Sequence, residues 1–333
     1  MSILVTGANG CIGNILVRFL VGLGYEVIAL VLDENDTDKI KNIGIGNVKF
    51  VFGDICDKEK MEAIFSASIF HIVIHLAGIV HNPDATLEEC MAVNYKATSD
   101  LFDLSKKYGV KQFIFASSVA IYGDDVENVM DEYSPVNPQT PYALSKLKAE
   151  EYIKSNHDNK IEYTIVRPTT VYGKYDRGNI NRLFSIAKKG FVPIIGDGNN
   201  RKSFVYVENL VEGIGRVILN PDAYEQVFIL SDAEPYSVNR VLKEMEMVIG
   251  KKIIIVHLPA SIILFAMNVM NGLYKMIFRK EFFSISSITK LVTNNVFDIS
   301  KARRVLNFTP LYTLTEGLQK IYGTKKIVLR YAV

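Results

Sequence analysis

The stretch TGANGCIG, residues 6–13, sets Gly7, Gly10 and Gly13 at a regular spacing of three. The run ILVTG (3–7) reads as a strand leading into it. GNILVRFLVGLG (13–24), apolar at helical spacing and ending in glycine, reads as the helix leading out. Such a turn brings backbone N–H groups and a helix N-terminus close to anything lying on it, a pyrophosphate included. By itself the spacing serves a dinucleotide or a tight structural connection equally well. Positions 54, 75–78, 117–123, 142–146 and 167–173 decide between them.

Outward from that turn, strand and helix patterns alternate. EVIALVL (26–32), VKFVFGD (48–54), HIVIHLAG (71–78), KQFIFASSVAIYG (111–123) and IEYTIVRPTTVYG (161–173) read as strands. VNYKATSDLFDLSKKYG (93–109) and PYALSKLKAEEYIKS (141–155) read as helices. Strands apolar on both faces and separated by helices predict an α/β fold with a doubly wound parallel sheet. From about residue 174 the rhythm breaks. Residues 174–333 are expected to form mainly a smaller lobe over the carboxyl ends of the strands, with some segments returning to the sheet of 1–173.

Bulk composition narrows the classes. A chain of 333 residues, 49% hydrophobic and 22% charged, has ample material for a core. Its formal charge of +2 gives no argument for a nucleic-acid partner. Cys11, Cys56 and Cys90 form no CxxC pair, so neither a disulfide framework nor a cysteine zinc site is expected, and a reducing cytoplasm fits. His71 and His75 are four apart within a strand pattern, where that spacing makes no helical face, and no metal is expected. Residues 1–5, MSILV, lack the basic start of a signal peptide. The late segment LPASIILFAMNVMNGLYKMIF (258–278) is interrupted by Pro259, Asn268, Asn271, Gly272 and Lys275, which argues against a spanning helix. Its apolar positions 262, 265, 269, 273 and 276 suit an amphipathic helix. Such a helix either packs on its own lobe or makes a peripheral membrane contact.

The chemistry concentrates in PYALSK. Tyr142 and Lys146 are four apart at the start of a helix and so share a face. An ammonium nearby is expected to draw a tyrosine down from its ordinary pKa of about 10, toward use as a general base. Ser118, at the end of the preceding strand pattern, can hydrogen-bond the same substrate oxygen. Asp54 could accept from an adenine amino group or merely cap the next helix. HLAG (75–78) supplies small residues where a ring must pass close to a sheet end.

Taken together and in order, these segments resemble the extended short-chain dehydrogenase/reductases of the sugar epimerase/dehydratase type. TGANGCIG is similar to that family's TGxxGxxG, Asp54-Ile55 to its adenine-side pair and HLAG to its fourth-strand motif. SSVAIYG is similar to its serine strand, YALSK to its YxxxK and RPTTVYG to the strand beyond. The resemblance spans nearly the whole chain and implies a Rossmann-type fold with a smaller C-terminal substrate-binding lobe. It implies catalytic Ser118, Tyr142 and Lys146. It implies a dinucleotide held by Gly7, Gly10, Cys11, Ile12, Gly13, Asp33, Asp54, Ile55, Leu76, Ala77, Gly78, Asn94, Ser117, Tyr142, Lys146 and Pro168. Directly after the second strand, where relatives carry an arginine or an acid, stands Leu32; Asp33 and Glu34 follow immediately, and an acid near the ribose 2′-hydroxyl favours NAD over NADP.

The same resemblance bears on the reaction. The family's 4,6-dehydratases carry an Asp-Glu pair directly after the serine or threonine of this strand; here those positions are Val119 and Ala120, and neither moves a proton. What remains is a 4-epimerase or a 4-ketoreductase, with a non-catalytic dinucleotide-binding sensor as the alternative of another class. The run SSVAIYG, RPTTVYG, RGNINRL (177–183), RKSFVYVENLV (201–211) and HLPASI (257–262) is most similar to bacterial 4-epimerases of N-acetylglucosamine, whose substrate hangs on UDP or on diphospho-undecaprenol for O-antigen synthesis. His81, Ser118, Thr170, Asn179, Arg201 and Lys202 are implied as substrate residues, with Asn179 and Lys202 on the pyrophosphate. Lys202 stands where relatives more often have arginine, which exchanges a bidentate fork for a point charge. A homodimer through helices 93–109 and 141–155 is implied by analogy. The implied place is the cytoplasm, peripheral to the inner membrane face if the lipid carrier is used.

Overall fold

The computed structural model describes residues 1–33, 48–80, 82, 84–123, 128–176, 178–259, 261–263, 265 and 293–323. Six apolar runs become strands: β1 (Ser2–Thr6), β2 (Glu26–Val31), β3 (Val48–Phe52), β4 (Ile72–His75), β5 (Gln112–Ala116) and β6 (Glu162–Pro168). A seventh, Gln226–Leu230, joins the edge beside β6. Across the sheet the order is 226–230, β6, β5, β4, β1, β2, β3, with every pairing parallel.

The period of two explains the layers. Ile3 and Val5 point to one face, into a cluster with Leu16, Leu20, Leu210 and Ile214 from helices Cys11–Gly22 and Val207–Val217. Leu4 points to the other, among Phe65, Phe102 and Ile153 of helices Lys58–Ala67, Ala97–Lys107 and Pro141–Asn156. From β1 the chain builds to β2 and β3 on one side and to β4, β5 and β6 on the other. The crevice at that reversal, outside the carboxyl ends of β1 and β4, is where such sheets bind ligands. The glycine-rich turn follows β1 and HLAG follows β4.

Two strand readings are corrected. The run 111–123 ends as a strand at Ala116, because Ser118 caps a short 3-10 turn, Val119–Tyr122, by accepting from Ala120 N at 3.1 Å. The run 161–173 breaks after Pro168. Its second part, Thr170–Tyr172, leaves the sheet to pair with Phe204–Tyr206. The helix read over 93–109 starts earlier, with the regular turn Leu87–Cys90, and passes through a π-helical segment, Met91–Lys96, before becoming regular again. A π segment inside a helix often marks a functional place.

The lobe is built from short ribbons, Arg201–Lys202 with Tyr236–Ser237 and Phe191–Ile195 with Ile254–Leu258, around Tyr172, Phe184, Val192, Leu242 and Leu318. Among the described residues no helix is long and apolar enough to cross a membrane. Of 258–278, only Leu258, Pro259, residues 261–263 and Phe265 are described, so the amphipathic helix read there lies largely outside the described residues.

Where sheet and lobe meet, Asp232 is buried and accepts from Tyr206 N at 2.9 Å, Asn209 Nδ2 at 2.7 Å and Tyr172 OH at 3.0 Å. Burial outweighs those three donors and pushes its carboxyl up to about 6, from an ordinary 3.8. The folded chain therefore keeps a proton, between about pH 4 and 6, that the unfolded chain has released. Stability should fall as pH rises through that window, by at most about 3 kcal/mol, and level off above it. Urea unfolding at pH 4.5, 5.5 and 6.5 reads this slope, and Asp232→Asn should flatten it; an equal slope in the variant refutes the assignment.

Candidate active site

The turn after β1 is shaped by the absence of side chains. Gly7 has φ +67°, and a Cβ there would lie 2.8 Å from Ala77 N. A Cβ on Gly13 would lie 2.2 Å from the Gly7 carbonyl oxygen. Backbone thus packs on backbone between β1, β4 and the first helix. That helix has Gly10 as its N-cap and no side-chain cap, so no side chain competes for its first N–H groups. By contrast Asp57, Thr86, Thr140, Ser237 and Thr313 cap their own helices with side-chain oxygens. A close-packed turn opening on an uncapped helix N-terminus fits a dinucleotide pyrophosphate. Cys11 and Ile12 open this helix; burial pushes the Cys11 thiol up to about 12, so it is an inert neighbour.

The remaining cofactor residues gather at the same sheet edge. Thr6 Oγ1 accepts from Ala77 N at 3.2 Å, tying the turn to Leu76–Gly78. A Cβ on Gly78 would meet Asn94 Oδ1 at 2.7 Å and Lys146 Nζ at 3.5 Å. Asn94, buried in the π segment, accepts from Ile79 N at 2.8 Å and donates to the Ile79 carbonyl at 3.0 Å and to Ser145 Oγ at 3.1 Å. Its amide clamps the HLAG loop to the catalytic helix. Asp33 is exposed just past the end of β2, while Glu34 lies outside the described residues. Asp54 does not cap the next helix: it accepts from Cys56 N at 2.9 Å, and Asp57 is the cap, accepting from Lys60 N at 3.0 Å. Ile55 is buried beside it, as are Ser117, one residue past β5, and Pro168, the last residue of β6.

Thr140 caps helix Pro141–Asn156, accepting from Ala143 N at 3.1 Å, with Pro141 in its first turn. The helix thereby starts where Tyr142 adjoins Ser118. Burial pushes Tyr142 above its ordinary value and the neighbouring Ser118 hydroxyl pulls it back. The expected lowering by the Lys146 ammonium is not realised in this state, because the amine donates to the Ala116 carbonyl at 2.8 Å and sits 4.7 Å over the Phe115 ring. Lys146 is 2% exposed, and burial brings it down to about 8, against the pull of Glu150.

Glu150 escaped the sequence reading. One turn beyond Lys146 on the same helix, it is fully buried and paired with Arg167 of β6, Nε–Oε1 2.9 Å and Nη2–Oε2 2.6 Å. An arginine inside an apolar strand needs a buried acid, and that signal was present in IVRPTT. His75 is likewise explained. It is buried between Thr6 Oγ1 at 2.7 Å and Thr98 Oγ1 at 2.9 Å, and burial brings it down to about 3, so it is a neutral core group.

The substrate residues are more scattered. Thr170 is exposed, two residues beyond β6, on the segment paired with Phe204–Tyr206. Asn179 is exposed at the first turn of helix Asn179–Ala187, whose N-cap is Gly178, again without a side-chain cap. Arg201 lines a cavity of about 300 Å³ with Asn199, Glu234, Tyr236 and Arg240. Lys202, its strand neighbour, faces the other way, so the two do not act side by side on one group. His81 lies outside the described residues.

Residues 3–230 match the family described as NAD dependent epimerase/dehydratase. The N-acetyl-alpha-D-glucosaminyl-diphospho-ditrans,octacis-undecaprenol 4-epimerase of Escherichia coli O157:H7 is 29% identical over 96% of this chain and 93% of its own length. A putative UDP-glucose 4-epimerase of Methanocaldococcus jannaschii is 36% identical over 63% of this chain and 71% of its own. The crystal structure of the Thermotoga maritima UDP-glucose 4-epimerase with UDP-glucose superposes with a TM-score of 0.76 at 28% identity, covering 97% of each chain.

Proposed function

Because the chain belongs to the NAD-dependent epimerase/dehydratase family, with NAD as cofactor, we propose that it is a 4-epimerase of a diphosphate-linked hexose, interconverting N-acetylglucosamine and N-acetylgalactosamine for surface-polysaccharide synthesis. The observation that carries this reading is the intact Ser118, Tyr142 and Lys146 set beside Val119 and Ala120. Val119 is buried in the core and Ala120 has no titratable group, so nothing there can remove a second proton or expel a hydroxyl.

NAD, when bound along the turn of Gly7, Gly10 and Gly13 and the crest formed by Leu76–Gly78, supplies the chemistry of taking the sugar's C4 hydride and returning it. Tyr142 accepts the O4 proton and later gives it back. Ser118, beside the phenol, holds O4 and passes that proton along. Lys146, held from behind by Ala116 and Phe115, keeps positive charge beside the site and excludes water from it. Asn179 and Lys202 anchor the diphosphate. An anchor at the diphosphate alone leaves the ring free to present either face to the same tyrosine, which is what inversion at C4 requires.

The E. coli relative is named for a lipid-linked sugar and the T. maritima relative for UDP-glucose, so both carriers enter the test. The protein is incubated with N-acetylglucosamine on UDP and on diphospho-undecaprenol in parallel, with no added reductant, and the released hexosamines are separated. N-acetylgalactosamine from either carrier supports the epimerase and names its carrier. Product from neither, with NADH consumed on a 4-keto sugar, replaces it by a ketoreductase.

A further inference from the structure

The ribbon of Phe191–Ile195 and Ile254–Leu258 sets Phe191 opposite Ile254, Pro193 opposite Val256 and Ile195 opposite Leu258. Opposed residues share a face. Val192 and Ile194 turn inward to the lobe core, 1% and 7% exposed. The face turned away from that core therefore carries six residues, all apolar. A ribbon with one face in water ordinarily shows polar residues there. Here Phe191 is 51% exposed and Ile254 61%, and just beyond the ribbon Ile262 and Phe265 are exposed as well.

Charge surrounds the open end of this face. Lys188 and Lys189 come just before Phe191, Lys251 and Lys252 just before Ile254, and all four are exposed. The two pairs adjoin: a Cβ on Gly190 would lie 3.2 Å from Lys251 Nζ. Lys243, Lys251 and Lys252 line a neighbouring hollow in which Glu246 is the acid, leaving a surplus of positive charge.

We infer that this face docks the protein on an anionic lipid bilayer, with Phe191 and Ile254 entering the acyl boundary and the four lysines meeting the headgroups. Apolar burial combined with a basic rim is the combination that holds a protein on such a surface. A second copy of the chain is a poorer occupant, because a two-fold contact would set the lysine pairs against each other. The inference stands apart from the carrier question, since vesicle binding is read without any sugar substrate.

The test is co-sedimentation of the full chain with vesicles of phosphatidylcholine alone and of phosphatidylcholine with phosphatidylglycerol, at low and high salt. The wild type should pellet with the anionic vesicles only, less so at high salt. Phe191→Glu with Ile254→Glu, and separately Lys251→Glu with Lys252→Glu, should each weaken that partition at least about tenfold. Circular dichroism and size-exclusion elution should stay unchanged in both. No pelleting by the wild type, or undiminished pelleting by the folded variants, overturns the inference. A shift of either variant from dimer to monomer overturns it in favour of a second copy.

Discussion

Tyr142→Phe should lower turnover at least about a hundredfold while leaving NAD binding and thermal unfolding close to wild type. The phenol is half-buried, beside Ser118 and placed by a helix start that Thr140 fixes, so losing one oxygen disturbs little packing. What is lost is the atom that takes the O4 proton. Burial holds that phenol above its ordinary value here, so the wild-type rate should rise with pH as the base form becomes accessible. The residual rate of the variant should lose that rise. Steady-state kinetics between pH 6 and 9 decide the matter. A variant with near-normal turnover would remove Tyr142 from the mechanism, and one that keeps the pH rise would assign the base to another group.

How much of this was legible beforehand depended on which contacts are local. β1 to β6 were readable because strands buried on both faces leave continuous apolar runs, and the glycine turn because its spacing repeats a backbone requirement. Strand ends were not. β5 stops at Ala116, just before the 3-10 turn that Ser118 caps, and the chain beyond Pro168 leaves the sheet for a partner, Phe204–Tyr206, more than thirty residues away. No local pattern announces such a pairing. The site divides the same way. Ser118 and Tyr142 meet because a strand end and a helix start adjoin, which order along the chain suggests. Asn94 was read as a cofactor residue, yet its amide is spent on Ile79 and Ser145, a role visible only in three dimensions. Arg201 and Lys202 adjoin in the sequence, whereas strand alternation turns their side chains apart.

Arg167→Met should destabilise the fold by about 3–5 kcal/mol, far more than an exposed ion pair would contribute. Glu150 and Arg167 are both almost wholly inside, and the carboxylate takes two guanidinium bonds, with Lys154 Nζ also at 3.1 Å. Burial alone would raise Glu150; the hydrogen bonds and charge of Arg167 hold it below its ordinary value. Removing the guanidinium leaves a buried charge one helical turn from Lys146, together with Tyr122 OH deprived of its 2.5 Å donor. Without its partner Glu150 would bind a proton more readily folded than unfolded, so the variant should lose stability as pH rises above about 4, in a sense opposite to the wild-type pair. Glu150→Met added to Arg167→Met should recover most of the loss, since an apolar pair of similar volume fills the site without stranded charge. Urea unfolding of the wild type, the single and the double variant measures all three. A loss under 1 kcal/mol in the single variant would show that the pair is not holding the catalytic helix against the sheet. A full recovery of stability with a fall in kcat would show that Glu150 matters to Lys146 by its charge, which opposes the burial that brings that amine down to about 8.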